Sequence, residues 1–297
     1  MDRRYLVTGA LPAFGAACCF ACMAALVKVA ATEASSQVLV FLRSAFGLIV
    51  ITPFALRRGG EFLRTPRLGL HVTRAAFSIG ALSCFYYAVS QIGLGEAILL
   101  NASSPLFIGV LAIFMLGERL ESRAIIALAL GFVGVVMLLK PGTSLFDFGA
   151  MIGASSALFV AFAKIFIRRM ADTEPVLRTV FYFGVFSTVL SALPLLWLWQ
   201  TPSAFAVGCM VLAALFATIG QTALTQAFTH NTAASVAPFS YVTVMLGGAL
   251  GWVVWNERPD VLSVIGAGFV ISGCLVMVLR ARQSGPWRPG TPVPESR

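Results

Sequence analysis

The sequence reads SCFYYAVSQIGLGEAILLNASSPLFIGVLAIFMLGER at residues 83–119 and TALTQAFTHNTAASVAPFSYVTVMLGGALGWVVWNER at residues 222–258. The second stretch follows the first at an offset of 139 residues without a gap, and this offset places Glu118 on Glu257. Polar positions match as well as apolar ones, in the pairs Tyr86–Thr225, Tyr87–Gln226 and Asn101–Ser240. Because a shared apolar composition alone would not align polar positions, the match indicates a repeat of half the chain.

The composition predicts that both copies lie in a membrane. Of 297 residues, 59% are hydrophobic and 11% are charged, whereas soluble domains have about 25% charged residues. The apolar stretches run for about 20 residues, long enough to cross a hydrocarbon core of about 30 Å. We therefore predict an all-α integral membrane protein with ten transmembrane helices, at residues 6–31, 37–56, 71–90, 95–116, 123–139, 148–167, 176–198, 204–229, 232–255 and 260–280.

The distribution of arginine and lysine predicts the orientation. If the N-terminus is cytoplasmic, sixteen arginines, Arg74 and Arg178 among them, fall on the cytoplasmic side, and only Lys140 and Arg258 fall outside. Short loops that carry Lys and Arg stay in the cytoplasm, so both termini are expected there. The same distribution accounts for most of the positive charge behind the net charge of +9 without a nucleic-acid partner. We expect a multi-pass protein of the bacterial inner membrane.

The number of helices per copy predicts how the copies are related. Each copy has five helices, an odd number, so the second enters the membrane in the opposite sense to the first. The expected units are two inverted repeats, at residues 8–140 and 147–280, followed by a disordered cytoplasmic tail at 281–297. Inverted repeats are typical of transporters that expose a central site to each side in turn.

Several short motifs stand in a characteristic order along the chain. They are Phe41-Leu42-Arg43, Pro105 after Ser103-Ser104, Gly117-Glu118-Arg119, Gly131-Phe-Val-Gly134 and Asn256-Glu257-Arg258. Over residues 8–280 the chain thereby resembles the drug/metabolite transporter superfamily, in its EamA-like branch. The resemblance implies a ten-helix transporter whose central cavity is lined mainly by helices one, three, four, six, eight and nine.

Three cations at membrane depth are candidates for binding a substrate. Lys28, Arg43 and Lys164 lie inside predicted helices, where ionisable groups are costly and usually functional. The two lysines could instead extend to the headgroups, and Arg43 could brace a neighbouring helix through carbonyl contacts. If these cations face a cavity, they favour a substrate with a carboxylate or phosphate.

Polar side chains on the repeated helices are the other candidates. Tyr86 and Tyr87 lie on the third predicted helix, and Gln221, Thr225 and Gln226 lie on the eighth. Polar groups in lipid must face protein or water, and Ser and Thr often serve only as interhelical hydrogen-bonding groups. We favour the cavity for the larger side chains, to which we add Asn101 and Tyr241 from the fourth and ninth helices.

Enzymatic function is not expected, because no nucleophile with a base and no pair of midplane acids is visible. Cys19 and Cys22 have the spacing of a metal or redox pair but no second pair, so we predict no metal and no cofactor. Glu118 and Glu257 are expected to cap loop backbones or to pair with the arginine that follows each of them. Glycines in the fifth and tenth helices are expected to pack within the molecule or between the protomers of a homodimer.

Transport of a small metabolite is the predicted function. The resemblance implies substrates such as amino acids and their derivatives, opine-type metal chelators, nucleotide-like cofactors and drugs. Buried cations with amide and aromatic neighbours favour a zwitterionic or anionic amino-acid-like compound, and the resemblance implies export. We therefore predict efflux of an amino-acid-like or amino-acid-derived compound, including an opine-type metallophore. The alternative is uptake of a nucleotide-like cofactor such as S-adenosylmethionine or riboflavin, stacked on Tyr86, Tyr87 and Tyr241. A non-transporting structural membrane protein is the more remote alternative.

Overall fold

The computed structural model describes residues 10–116, 122–139, 148–170, 173–230 and 239–283. The Gly117-Glu118-Arg119 motif, the start of the ninth predicted helix and residues 284–297 lie outside this part. The helices are α1 Leu11–Ala30, α2 Ser36–Leu56, α3 Gly60–Leu63, α4 Leu68–Gln91, α5 Leu94–Ala102, α6 Ser104–Leu116, α7 Ser122–Leu139, α8 Phe148–Met170, α9 Val176–Ala192, α10 Leu195–Leu198, α11 Ala204–His230, α12 Phe239–Trp255 and α13 Val261–Gln283.

The helices are those of a multi-pass membrane protein. Helices α1, α2, α4, α8 and α11 are long and apolar enough to cross a bilayer. Five shorter apolar helices, of 10–17 residues, lie in the remaining predicted spans. Large apolar side chains such as Ile49, Leu196 and Val253 are exposed on the outside of the bundle, as expected for surfaces that face lipid.

Two predicted helices are interrupted by proline. The fourth predicted helix, 95–116, ends at Ala102, and a new helix begins at Ser104. Pro105 is the second residue of the new helix, because proline has no N–H to donate and is tolerated only in a first turn. Pro194 directly precedes α10, and Leu193 and Pro194 separate that helix from α9. The prediction of continuous helices was therefore wrong at both positions.

The position assigned to Arg74 also needs correction. We counted it with the arginines of cytoplasmic loops, near the start of a helix predicted at 71–90. In the structure α4 begins at Leu68, so Arg74 is the seventh residue of the helix, and its side chain is buried. The last helix likewise runs to Gln283, three residues beyond its predicted end at 280.

The first and second halves of the chain interlock. Helix α1 packs against α11, α4 against α8, α2 against α9, and α7 against α13. Each pair joins a helix that precedes residues 140–147 to one that follows them. The buried core therefore lies between the halves and is shared by both.

Glycines bring α7 and α13 into backbone contact. A Cβ at Gly134 would lie 2.5 Å from the Gly266 carbonyl oxygen, and a Cβ at Gly273 would lie 2.6 Å from that of Ala127. Only glycine fits such an approach, which small residues provide in membrane proteins. These glycines pack within the chain, whereas a Cβ at Gly268 would meet nothing within 4 Å.

Candidate functional site

Lys28 binds the polar end of one helix and a carboxylate from the other half of the chain. Its Nζ donates to the carbonyl oxygens of Ile92 (2.8 Å) and Val89 (3.4 Å) at the end of α4. The same Nζ lies 2.6 Å from Oε1 of Glu257. Cations are favoured at the C-terminal end of a helix, where carbonyls are left unpaired. In this conformation the lysine is held between protein groups rather than extended toward headgroups.

Glu257 also caps a helix, as the sequence suggested. Its Oε2 accepts a hydrogen bond of 2.7 Å from the backbone N–H of Leu94, the first residue of α5. The turn that directs this carboxylate inward contains Asn256, whose φ of 55° is left-handed, a conformation that asparagine tolerates. Among the described side chains, the cation paired with Glu257 is therefore Lys28 rather than the adjacent Arg258.

A second polar group surrounds the interruption between α5 and α6. Asn101 Nδ2 donates to Ser156 Oγ on α8 at 2.9 Å. Lys164, two turns further along α8, donates from Nζ to Ser104 Oγ at 2.8 Å. We call Asn101, Ser104, Ser156 and Lys164 the interruption cluster. It joins the fourth predicted span of the first half to the sixth span, which opens the second half.

Arg43 and Tyr86 come together inside the bundle. Arg43 is the eighth residue of α2, Tyr86 lies on α4, and the two are close enough to interact electrostatically. Both side chains are buried. The Arg43 guanidinium stacks over the ring of Phe183 on α9, with Cζ 5.4 Å from the ring centroid. Bracing through carbonyl contacts, which we considered for Arg43, is instead made by Arg74, whose Nη1 donates to Thr179 O at 2.8 Å.

The remaining candidates are distributed over several environments. Tyr87 and Gln221 are half-buried, Tyr241 is buried, and Gln226 is exposed. The side chain of Thr225 lies outside the described part. The structure thus brings the candidates Asn101 and Lys164 into one cluster and Arg43 and Tyr86 into another.

A third group of charges lies at the opposite end of the bundle from Glu257. Glu174, in the connection between α8 and α9, accepts hydrogen bonds from Thr65 Oγ1 (2.6 Å) and Arg178 Nη1 (3.0 Å). Nε2 of His71 lies 3.5 Å from the same carboxylate. Burial alone would raise the pKa of Glu174, but the bonds from Thr65 and Arg178 and the positive charges around it lower the pKa below 4.5.

Sequence reasoning missed Arg74, Ser156, Phe183 and Glu174. The available signal for Arg74 was its spacing from the other residues of α4, which places it inside the helix. No signal within a single helix indicated Phe183 or Ser156, because an apolar helix contains many phenylalanines and serines whose facing partners depend on how the helices pack.

Comparisons with a family model and with individual relatives indicate the same family. The model of the EamA-like transporter family matches the chain twice, at residues 7–140 and 147–279. The pseudopaline exporter CntI of Pseudomonas aeruginosa (strain UCBPP-PA14) is 31% identical over 280 residues, which cover 92% of this chain and 96% of that protein. A crystal structure with 22% identity superposes with a TM-score of 0.65 over 93% of this chain and 98% of the other.

Other relatives are named for uptake or for transport alone. The S-adenosylmethionine uptake transporter of Rickettsia prowazekii (strain Madrid E) is 26% identical, over 86% of this chain and 87% of that protein. The riboflavin transporter of Rhizobium johnstonii (strain DSM 114642) is 26% identical, over 85% and 83%. These relatives are thus all named as transporters, and their names differ in the molecule that is transported.

Proposed function

The chain belongs to the EamA-like transporter family, and from this premise we propose that it exports an amino-acid-like or amino-acid-derived metabolite across the bacterial inner membrane by alternating access. The observation that carries the proposal is the interruption cluster, which holds a cation and an amide at a break in a membrane helix. Transporters bind their substrates at such breaks, between two structural repeats.

Helix pairing supports two inverted five-helix repeats. If the two halves are related by a repeat, α1 corresponds to α8 and α4 corresponds to α11. Exchanging the halves therefore turns the α1–α11 pair into the α8–α4 pair, and both pairs are present in the structure. The members of the α2–α9 pair correspond to each other, as do those of the α7–α13 pair, so the exchange leaves these two pairs unchanged. A packing scheme that is unchanged by this exchange is expected of two related halves around a two-fold axis in the membrane plane. Such halves give two nearly equivalent conformations, each open to one side.

The contacts of the interruption cluster support a binding role in the other conformation. Both of its interhelical bonds, Asn101 to Ser156 and Lys164 to Ser104, join α8 to the interrupted span. Movement of one half against the other would separate these donors from their present partners. A zwitterionic substrate can then replace the partners, with its carboxylate near the Lys164 ammonium.

The direction and the substrate class are argued from charge and from relatives. Lys28, Arg43 and Lys164 all lie within membrane helices, and a relative with 31% identity is named as an exporter. We therefore place an acidic or zwitterionic metabolite in the cavity, with an opine-type metallophore as one example. Tyr87, Gln221, Thr225, Gln226 and Tyr241 complete the proposed cavity.

The export proposal is tested by comparing wild-type cells with a deletion strain. Mass spectrometry of cell extracts and medium is expected to show one or more amino-acid-derived compounds that accumulate inside the deletion strain and are depleted outside. The purified protein in liposomes should exchange the same compound. Unchanged pools in both compartments, together with no exchange in liposomes, would contradict the proposal and favour a non-transporting membrane protein.

Uptake of a nucleotide-like cofactor is the second candidate, because relatives with 26% identity are named for S-adenosylmethionine and riboflavin. Aromatic stacking of a ring system requires an accessible ring face. Tyr87 is half-buried, whereas Tyr86 and Tyr241 are buried in this conformation, so Tyr87 is the tyrosine most suited to stacking. Uptake of labelled S-adenosylmethionine or riboflavin by wild-type but not deletion cells would favour this function over export.

The orientation and the oligomeric state belong to the same proposal. Both termini are placed in the cytoplasm on the distribution of arginines, which reporter fusions at each terminus would test. A homodimer would use a face left open by the chain itself, such as that of Gly268. Size-exclusion chromatography with light scattering in detergent would measure the mass.

A further inference from the structure

Two arginines meet on one phenyl ring inside the helix bundle. Arg43 of α2 and Arg74 of α4 place their Cζ atoms 5.4 Å and 4.8 Å from the ring centroid of Phe183 on α9. The two Cζ atoms can therefore be no more than about 10 Å apart. Arg43 is 8% exposed and Arg74 is 3% exposed. Both arginines lie two turns or so inside their helices, away from the helix ends.

The arginines have few partners for two buried cations. Arg74 Nη1 donates to the Thr179 carbonyl. The Nε atoms of Arg43 and Arg74 and the Oη of Tyr86 are buried, and none has a hydrogen-bond partner within the described part of the chain. Nor does any described carboxylate form an ion pair with either arginine. Glu174, which precedes α9, is already bonded to Thr65 and Arg178.

Such an arrangement is unfavourable unless an anion completes it. Taking a guanidinium out of water has a large free-energy cost, which ion pairing with full hydrogen bonding normally offsets. The face of Phe183 attracts both cations, but a ring quadrupole offsets only part of that cost. The two positive charges also repel each other at short range in a medium of low dielectric constant. All three unpartnered groups can donate hydrogen bonds, so together with the two positive charges they suit an acceptor that carries negative charge.

We propose that Arg43, Arg74 and Tyr86 form an oxyanion site that recognises a doubly negative group of the transported metabolite, either two carboxylates or one phosphate. This inference rests on the proposed transport function and extends it to a substrate class. The planar guanidinium of each arginine suits paired oxygen acceptors, Phe183 gathers both guanidinium groups around one ring, and the buried Tyr86 hydroxyl adds a further donor near Arg43. With two negative charges bound, the net charge of the site is zero.

The test uses the full chain in lipid nanodiscs and a matched series of small ligands. Glutarate has two carboxylates, glutaramate has one and glutaramide has none. Inorganic phosphate tests whether a single phosphate, rather than two carboxylates, supplies the negative charge. A ligand that binds the folded protein raises its Tm with concentration. We expect glutarate or phosphate to raise the Tm of the wild type and glutaramide to leave it unchanged, and the relative sizes of the glutarate and phosphate shifts identify the kind of oxyanion.

Substitutions separate binding from folding. Arg43→Met and Arg74→Gln are expected to weaken the binding of the dianion about ten- to hundredfold, the value of a lost charge-assisted hydrogen bond. Arg43→Met should not lower the Tm without ligand, because it removes a buried unpaired charge. The control is Arg169→Gln, since Arg169 also stacks on a phenyl ring, that of Phe166, but is exposed. This control should bind as the wild type does.

Three results would overturn the site. They are an equal shift with glutaramide, no shift with either dianion, and normal binding of the dianion by the Arg43→Met protein. If neither dianion binds while wild-type cells still export a metabolite that deletion cells retain, the site is wrong and the transport function stands. If the dianions bind as described but the metabolite pools of the two strains are equal, the site is correct and the export function is wrong.

Discussion

Lys28 and Glu257 form an ion pair of 2.6 Å that bridges both ends of the short connection between α4 and α5. The lysine binds the last carbonyl groups of α4, and the glutamate binds the first N–H of α5. Each charge therefore lies at the helix end that its sign favours. Because Lys28 belongs to the first half of the chain and Glu257 to the second, the pair also fastens the halves together at this end of the bundle.

Glu257→Gln should destabilise the protein, because it leaves the Lys28 ammonium without a counter-charge. The side chains are 15% and 24% exposed, so we expect a loss of about 1–3 kcal/mol, below the value for a fully buried pair. Thermal unfolding in detergent measures the change. The double variant K28M/E257Q should lose less than the sum of the two single variants, and Arg258→Gln, at the exposed neighbouring residue, is the control. Additive losses would mean that the pair has no coupling energy.

Gly134→Ala should destabilise the protein through backbone overlap. The added Cβ would lie 2.5 Å from Gly266 O and 2.7 Å from Val270 N, so α7 and α13 must separate. Overpacking of this kind costs about 1–3 kcal/mol. Gly268→Ala is the matched control on α13, since its Cβ would meet nothing within 4 Å. Equal Tm values for the two variants would contradict the packing described for α7 and α13. If Gly268→Ala alone changes the mass of the protein in detergent, Gly268 belongs to a dimer interface.

The sequence predicts apolar helices well and their facing partners poorly. Apolar length alone located the apolar helices, because a helix needs about 20 mostly apolar residues to cross a bilayer. Arg74 was misplaced, because a charge near a predicted helix end can lie either in a loop or inside the bundle. Pro105 was noticed, but a single sequence does not reveal whether proline kinks a span or divides it. Glu257 was expected to cap a backbone, yet its partner Lys28 lies in another helix far away in the sequence, and only packing brings the two together.

Asn101→Ala should reduce transport more than it reduces stability. The substitution removes the hydrogen bond to Ser156, and an interhelical bond in a membrane is worth only about 0.6 kcal/mol on average. If the amide also binds the substrate, the apparent affinity should fall about tenfold. Substrate exchange in liposomes measures the affinity, and the Tm measures folding. Ser155→Ala is the control on the same helix as Ser156, since its hydroxyl bonds to the Met151 carbonyl of its own helix. Normal exchange by Asn101→Ala would remove this residue from the proposed cavity.

Glu174→Gln should change how stability depends on pH. Because the pKa of Glu174 is lowered from 4.5 in the folded protein, its ionised form is stabilised by folding. This contribution is fully present above about pH 4.5 and is lost as the pH falls through the lower pKa of the folded state.

Unfolding measured from pH 7 to pH 3 should therefore show the variant less stable than the wild type at pH 7, with the difference decreasing only below about pH 4.5. Arg178→Gln, which removes a hydrogen bond that lowers this pKa, should give a smaller effect in the same direction, whereas Arg169→Gln should leave the pH profile unchanged. A wild-type advantage that stays constant down to pH 3 would mean that folding does not stabilise the ionised carboxylate.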